Sequence, residues 1–181
     1  MAYFSKFPKG VYDIAGNKQF KLVTDIMRRV KVRAKILNEA SLYDDYDVPS
    51  GERPEVTAFK HFGDTELHWV IMLVNNVLDR YHDWPMSTPQ FNQYVADKYV
   101  DSDGESTASD VHHYEIEQDS GSDKIKIEVT DLTNYPTATT ITNYEYEQTR
   151  QDKLREIRLL DPQFVQDFVR EYRLLMNESS I

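Results

Sequence analysis

The residues of this chain best suited to chemistry are its five histidines, because imidazole is a common metal ligand and a general base near neutral pH. His112 and His113 are adjacent, and neighbouring side chains on a strand point to opposite faces, so we expect these two not to share a metal ion. His61 and His68 would align on one helix, but Gly63 lies between them and should end that helix. We therefore predict structural or surface roles for all five histidines and no metal site.

Other catalytic groups are present, but not in the patterns that catalysis needs. Asp44 and Asp45 lie in a loop-like segment where nothing would desolvate a carboxylate, so general acid–base catalysis has no support. The chain has no cysteine, which excludes disulfides and thiolate sites. It also has no G-x-S-x-G elbow and no glycine-rich phosphate loop. The sequence predicts a protein that is not an enzyme and binds no cofactor.

Composition narrows the class of protein further. The 181 residues carry a formal net charge of -10, which argues against a general nucleic-acid binder because phosphate contacts need a cationic surface. No segment approaches the ~20 apolar residues of a membrane helix, and the N-terminus does not resemble a secretory signal. Residues 18–35 hold seven Lys and Arg against one Asp, whereas 101–123 hold eight acidic residues and no Lys or Arg. These are either solvated segments or complementary docking surfaces.

The N-terminal part, residues 1–40, is predicted as an aromatic arm followed by a basic helix and strand. Phe4, Phe7 and Tyr12 lie among proline and glycine, which favours an extended arm that either folds back onto the core or inserts into a partner. Beyond the arm the apolar positions first have helical spacing and then alternate. That change predicts a short helix that gives way to a strand or extended segment near Val30.

Residues 41–100 contain a corner between two predicted helices and a further helix over 89–99. Pro54 suits the first position of a helix, and apolar residues follow at helical spacing up to Gly63, which suits the C-cap. Asp64 is then placed to cap the second helix. That helix has apolar residues on several faces, which predicts that it is covered on more than one side; its main stripe is Leu67, Val70, Ile71, Val74 and Leu78.

In the second half of the chain, the spacing of the apolar residues changes from helical to alternating. Residues 101–146 begin with a predicted acidic linker. A β-hairpin around the turn DSGSD follows, because apolar residues alternate on both sides of that turn, and a threonine-rich turn comes after it. Residues 147–181 continue a polar helix that begins near Tyr144, and predict a short strand over 157–160 and a C-terminal amphipathic helix. The apolar face of that last helix comprises Phe164, Val165, Phe168, Val169, Tyr172, Leu175 and Met176. Together the elements predict an α+β fold.

One stretch resembles the LysM-like segment of tail and baseplate proteins of contractile-tailed bacteriophages. Its pattern is G-x-R-P-E-x-x-A-x-x-x-[FY]-G-[DN]-x-x-L-x-W-V-x-[ML]-x-x-N-N, which begins at Gly51 and ends at Asn76. The continuation LDRYHDWPMSTPQFNQYVADKY and the C-terminal DKLREIRLLDPQFVQDFVREY resemble the baseplate wedge protein 53 family of T-even-like phages. The central hairpin region resembles nothing specific.

The resemblance implies a small LysM-like βααβ module. Its first strand would span residues 46–48, its helices 54–62 and 65–77, and a short return strand 84–87. The core of the motif would be Pro54, Gly63, Asp64, Leu67, Trp69, Val70 and Asn75.

The resemblance also implies a structural subunit of the virion tail baseplate, synthesised in the host cytoplasm, that clamps neighbouring wedges together and joins the wedge ring to the central hub. Its partners would be other wedge subunits and the hub or tail-tube proteins of the same virion, and not nucleic acid, membrane or a small-molecule substrate. The side chains expected to bind partners are Phe4, Phe7, Tyr12, Arg28, Arg29, Phe164, Phe168 and Tyr172. The alternative is a LysM-type module that binds peptidoglycan, which a pulldown on that glycan would distinguish.

Overall fold

The structure, a computed structural model, describes residues 3–27, 30–32, 39–121 and 123–178. These residues form a mixed α+β fold. The helices are α1 (Pro54–Phe62), α2 (His68–Val74), α3 (Thr88–Lys98), α4 (Asn143–Arg155) and α5 (Val165–Glu178). The strands are β1 (Lys9–Tyr12), β2 (Lys21–Thr24), β3 (Tyr43–Asp47), β4 (Val111–Ser120), β5 (Asp123–Val129), β6 (Thr139–Thr142) and β7 (Glu156–Leu160). Short 3-10 helices lie at Tyr3–Lys6, Ala40–Leu42, Thr65–Leu67 and Pro162–Phe164.

The chain divides into two compact units. The first unit is Met1–Trp84 together with Glu156–Ile181, and the second unit is Pro85–Arg155. This division differs from the four predicted segments. The difference arises because β7 and α5 return to the first unit after the chain has formed the second.

The first unit is built around an antiparallel pair of strands, β3 and β7, with Tyr43 opposite Leu160 and Asp47 opposite Glu156. Its helices and strands follow the order β1, β2, β3, α1, α2, β7 and α5 along the chain. The predicted return strand over 84–87 is wrong, since no strand forms there. Trp84 is instead buried, and its indole N–H donates to the Glu52 carbonyl at 2.8 Å. The position beside β3 is taken by β7, which begins more than seventy residues after the start of the predicted return strand.

The corner between α1 and α2 forms as predicted. Pro54 is the first residue of α1, and Gly63 ends that helix with a φ of 74°, in the left-handed region that favours glycine. Asp64 then accepts a hydrogen bond from the Glu66 amide at 2.9 Å, which caps the following 3-10 turn that leads into α2.

Helix α2 lies between two hydrophobic clusters, in agreement with the apolar residues on several of its faces. Trp69 and Val70 belong to the first cluster and Ile71 to the second. The helix is shorter than predicted because Asn76 adopts a φ of 54°, which no helix can continue through. Leu78, the last residue of the predicted stripe, is consequently outside the helix and exposed.

The N-terminal segment is a strand pair rather than an extended arm followed by a helix. Strands β1 and β2 are antiparallel, with Lys9 opposite Thr24 and Tyr12 opposite Lys21. The predicted short helix is therefore wrong where β2 lies, because backbone hydrogen bonds to β1 outweigh the helical spacing of the apolar residues. Val30 belongs to a described segment without regular structure. Residues 28–29 and 33–38, which complete the predicted helix and strand, lie outside the described residues.

The predicted C-terminal amphipathic helix is present as α5. Asp161 accepts a hydrogen bond from the Gln163 amide at 2.9 Å and so caps the short 3-10 turn before α5. The apolar face of α5 packs on the first hydrophobic cluster through Val165, Val169, Tyr172 and Met176. This face is therefore covered by the chain itself.

The second unit contains α3, α4 and a three-stranded antiparallel sheet in the order β5, β4, β6. Ser87 and Gln90 form a capping box at the start of α3, which confirms the predicted helix there. The β-hairpin is also confirmed, with a tighter turn than predicted, since Ser120 pairs with Asp123. Strand β6 lies where a threonine-rich turn was predicted, because β4 offers it a backbone partner.

The acidic segment 101–110, predicted as a linker, is a hydrogen-bonded loop within the second unit. The Asp101 carboxylate accepts hydrogen bonds from the amides of Asp103 and Glu105. The Thr107 amide donates to the Tyr99 carbonyl at 2.9 Å, which ties the loop back to the end of α3. The Asp101 carboxylate therefore stabilises the local backbone of this loop.

Candidate interaction surfaces

The apolar residues of the predicted LysM-like motif core lie inside the fold, whereas Gly63 and Asp64 are exposed at the corner between α1 and α2. Pro54, Trp69 and Val70 are buried, and Leu67 is partly buried against the first hydrophobic cluster. Asn75 hydrogen-bonds through its side chain to the backbone of β7. These side chains are therefore engaged in packing and hydrogen bonding within the chain.

The side chain of Glu52 is only 5% exposed and forms a polar cluster that the sequence does not predict. Its carboxylate accepts hydrogen bonds from the Tyr46 hydroxyl and the Thr57 hydroxyl, both at 2.9 Å, and from the Lys60 ammonium. Burial raises the pKa of Glu52, but these three donors offset that effect and hold the pKa below its ordinary value. Burial and the Glu52 carboxylate together raise the pKa of Tyr46 to about 12. All of these partners belong to the first unit, so the role of Glu52 is structural.

Glu147 has the same role in the second unit. This residue of α4 is 1% exposed and accepts hydrogen bonds from the Lys98 ammonium at 2.5 Å and the Tyr99 hydroxyl at 3.0 Å. Arg150 lies 3.4 Å away on the same helix. Burial raises the pKa of Glu147, but the hydrogen bonds and positive charges around it outweigh burial and hold the pKa below its ordinary value. An acidic residue in a polar helix gives no sequence pattern that would identify this role.

The N-terminal segment is anchored to the first cluster by three residues. Phe7 is buried, and the Tyr3 ring lies 5.0 Å from the Phe7 ring and 5.6 Å from the Trp69 ring. The Lys6 ammonium lies 4.0 Å from the centre of the Trp69 ring, a cation–π contact. Burial, followed by the charge of Arg173, lowers the pKa of Lys6. The segment is therefore fixed at its base.

Beyond this base the same segment exposes a large apolar surface. Val11 and Tyr12 are neighbours on β1 and point to opposite faces of the strand, yet both are more than 60% exposed. Leu22, the cross-strand partner of Val11, is 65% exposed. Within the part of the chain that the structure describes, both faces of the β1–β2 pair thus carry exposed apolar side chains. We call this region the apolar arm surface, and its members are Phe4, Val11, Tyr12, Ile14, Phe20, Leu22, Ile26 and Met27.

The residues predicted to bind partners fall into three groups. Phe4 and Tyr12 are exposed and belong to the apolar arm surface. Phe7 and Tyr172 are buried in the chain's own core, which leaves their side chains little surface for a neighbouring subunit. Phe164 and Phe168 are partly buried against that core. Arg28 and Arg29 lie outside the described residues.

Helix α1 carries a second exposed apolar pair. Its buried residues are Pro54, Thr57 and Ala58, while Val56 and Phe59 are 43% and 59% exposed. The helical spacing of Val56 and Phe59 therefore does not mark the face that packs on the core. This outer face lies on the first unit, as does the apolar arm surface.

Each of the five histidines contacts a group within its own unit. In the first unit, a ring nitrogen of His61 lies 3.0 Å from the Leu160 carbonyl, and His82 is paired with Asp79 at 2.6 Å. His112 and His113 were expected to point apart, and this expectation is wrong, because their rings meet with the two Nδ1 atoms 2.8 Å apart. Among the described residues, no group of three or more His, Cys, Asp or Glu side chains is arranged for a metal ion.

None of the helices that the structure describes has the length and apolar character needed to cross a membrane.

The chain matches a protein-family model described as base plate wedge protein 53 over residues 2–136, well over half of its length. The matched region includes the apolar arm surface, the corner between α1 and α2, and the hairpin of β4 and β5. The comparison with curated proteins gives no match.

Proposed function

Because the chain belongs to the base plate wedge protein 53 family, which makes it a structural component of a phage baseplate, we propose that it clamps neighbouring wedges together and joins the wedge ring to the central hub. The observation that carries this proposal is the apolar arm surface. Its eight large apolar side chains are each more than 60% exposed. Exposed apolar surface on this scale is typical of a contact with another protein.

The occupant we propose for the apolar arm surface is a neighbouring wedge subunit. Lys9, Lys18 and Lys21 accompany the apolar side chains, while Asp13 is engaged with the amides of the adjacent turn. The surface is therefore apolar with a positive margin, and it fits a partner surface that is apolar with an acidic margin. The base of the segment is held by the core, so the strand pair would meet its partner already formed, which lowers the entropic cost of binding.

A clamp needs a second contact, and the outer face of α1 is the one we propose. The C-terminal helix was expected to share this task, but its apolar face packs on the chain's own core. Val56 and Phe59 are exposed and lie one helical turn apart, so they can form a small contact on one partner. We propose that this partner belongs to the hub side of the assembly.

The burial of the motif core favours this structural function over binding of peptidoglycan. Trp69 and Val70 are enclosed by the fold, which leaves no aromatic platform from this motif for a sugar. A pulldown on purified peptidoglycan separates the two functions, and we expect recovery at the level of a bare-resin control. Retention that depends on the motif region would favour the glycan-binding alternative.

The experiment that tests the clamp replaces the exposed cross-strand pair with Val11→Thr and Leu22→Thr. Threonine keeps the strand preference and removes apolar contact, so the isolated subunit should keep its melting temperature. Each apolar side chain that a partner covers contributes about 1.5–3 kcal/mol, so wedge association should weaken by tenfold or more. The measurement is the yield of complete baseplates by electron microscopy, with crosslinking between adjacent wedges.

The matched control is Leu174→Gln, which removes a 56% exposed leucine on α5 that is not a member of the apolar arm surface. This variant should assemble normally. Complete baseplates at normal yield from the double variant would contradict the clamp proposal. Deletion of residues 1–14 is a poorer test, because it removes Tyr3 and Phe7 from the core and would destabilise the subunit.

A further inference from the structure

The pair His112 and His113 forms an arrangement that their positions in the sequence do not predict. Strand β4 pairs Val111 with Thr142 and His113 with Ile141, so His112 is an extra residue that forms a bulge. A bulge re-aims the side chains next to it. Both imidazoles therefore meet, with their ring centres 5.0 Å apart and their Nδ1 atoms separated by 2.8 Å.

Both rings are held in place by contacts within the second unit. The His112 ring is stacked on the Tyr146 ring at 3.9 Å and 10°, and the His113 ring meets Tyr146 edge-on at 5.9 Å. His113 Nε2 lies 3.1 Å from a carboxylate oxygen of Glu115. Glu115 is in turn paired with the Lys126 ammonium at 3.3 Å. The orientation of the two imidazoles is thus set before any ligand arrives.

The contact with Glu115 decides which nitrogen of His113 carries the proton. One carboxylate oxygen of Glu115 lies 3.1 Å from His113 Nε2, and the other lies 3.3 Å from the Lys126 ammonium. A charged carboxylate can only accept hydrogen bonds. His113 therefore donates from Nε2, and its Nδ1 keeps a free lone pair. This carboxylate–histidine pairing is the support that metal-ligating histidines commonly have.

Two Nδ1 atoms at this distance are bridged either by a proton shared in an ordinary N–H···N hydrogen bond or by a metal ion. We propose that His112 and His113 chelate a divalent transition-metal ion through their two Nδ1 atoms, with Glu115 as the positioning residue for His113 and water in the remaining coordination positions. The pair opens onto a surface groove that is also lined by Glu128 and Thr130, which leaves room for that water.

The separation of the two nitrogens favours particular metals. With a metal–nitrogen distance of ~2.05 Å, nitrogens 2.8 Å apart subtend an angle of about 86° at the metal. A tetrahedral site would need them about 3.3 Å apart. An angle near 90° suits the square-planar or octahedral geometry of Cu²⁺ and Ni²⁺ better than the tetrahedral geometry of Zn²⁺. Because two side chains supply the ligands, we expect affinity well below that of four-ligand structural zinc sites.

The test is titration of untagged protein with Ni²⁺ and with Zn²⁺ by calorimetry, and with Cu²⁺ by electron paramagnetic resonance. We expect one Ni²⁺ per chain, bound more tightly than Zn²⁺, and a Cu²⁺ spectrum with coupling to two nitrogens. His112→Ala and His113→Ala should each weaken Ni²⁺ binding at least tenfold. Glu115→Gln should weaken it by about 10–100-fold through the loss of support for His113.

The matched control is His82→Ala, because His82 is an exposed histidine paired with an acidic residue in the first unit. It should leave the affinity for Ni²⁺ unchanged, and circular dichroism should show that every variant is folded. Absence of a single-site isotherm, or equal affinity in His112→Ala and the unaltered protein, would overturn the proposal and leave a shared proton only. These results do not depend on baseplate assembly, so they are separate from the test of the clamp.

Discussion

Asn75 and Arg158, 83 residues apart in the chain, are joined by two hydrogen bonds that mimic a strand pairing. The Asn75 side-chain amide donates to the Arg158 carbonyl at 2.8 Å, and its oxygen accepts from the Arg158 amide at 2.8 Å. The same amide group donates to the Ile71 carbonyl at the end of α2. Asn75 therefore attaches the returning strand β7 to the helical corner. This contact explains what the asparagine of the motif does in the fold.

Asn75→Asp should destabilise the first unit by about 1–3 kcal/mol. The substitution removes the donor to the Arg158 carbonyl and places a carboxylate beside two carbonyl oxygens. The measurement is urea unfolding followed by tryptophan fluorescence. Asn76→Asp is the matched control, because that side chain is exposed and aspartate also tolerates the left-handed backbone. Equal stability of the two variants would contradict the proposed role of Asn75.

Asn76 should tolerate glycine but not valine. Its φ of 54° lies in the left-handed region, which costs a β-branched residue about 1–2 kcal/mol and costs glycine almost nothing. Asn76→Val should therefore lower the melting temperature, whereas Asn76→Gly should leave it nearly unchanged. Thermal unfolding of both variants makes the comparison, and a valine variant as stable as the glycine variant would show that this backbone conformation is absent.

Trp69→Ala should cost about 3–5 kcal/mol of folding free energy. The indole is 4% exposed and lies 4.7 Å from the Tyr172 ring and 4.0 Å from the Lys6 ammonium, so its removal leaves a cavity beneath the N-terminal segment. Trp69→Phe should cost less, since the buried indole N–H has no hydrogen-bond partner among the residues that the structure describes. Chemical denaturation measures both, and an unchanged melting temperature for Trp69→Ala would contradict this packing.

Glu147 should make the stability of the second unit depend on pH in the acidic range. The folded-state pKa of Glu147 lies below its unfolded value, so the folded state binds fewer protons and its stabilisation is present above the unfolded pKa of about 4.3. This stabilisation is lost as the pH falls through the folded-state pKa. Glu147→Gln should cost about 1–3 kcal/mol at pH 7 and progressively less below pH ~4.

The measurement is the free energy of unfolding of both proteins from pH 7 to pH 3. Glu105→Gln, at an exposed position in the 101–110 loop, is the control and should change neither the stability at pH 7 nor its dependence on pH. A constant difference between Glu147→Gln and the unaltered protein across this range would show that the carboxylate charge is not what stabilises the contact.

The sequence by itself determined those helices, strands and turns that depend on the residues next to them in the chain. Pro54, Gly63 and Asp64 mark the ends of helices through their own backbone preferences and side-chain hydrogen bonds, and each does so in the structure. The amphipathic period of α5 and the alternation in β4 and β5 likewise reflect which side of one element faces a core. The type of element and the family resemblance could both be predicted from neighbouring residues.

Tertiary structure alone decided which distant segments pair. Strand β7 takes the position beside β3 that the resemblance assigned to residues 84–87, and β2 replaces a predicted helix because β1 completes its backbone hydrogen bonds. The burial of Phe7, and the bulge that brings His112 to His113, also follow from contacts made elsewhere in the chain. Strand pairing and burial are set by partners that lie tens of residues away, and a local pattern carries no information about which partner is present.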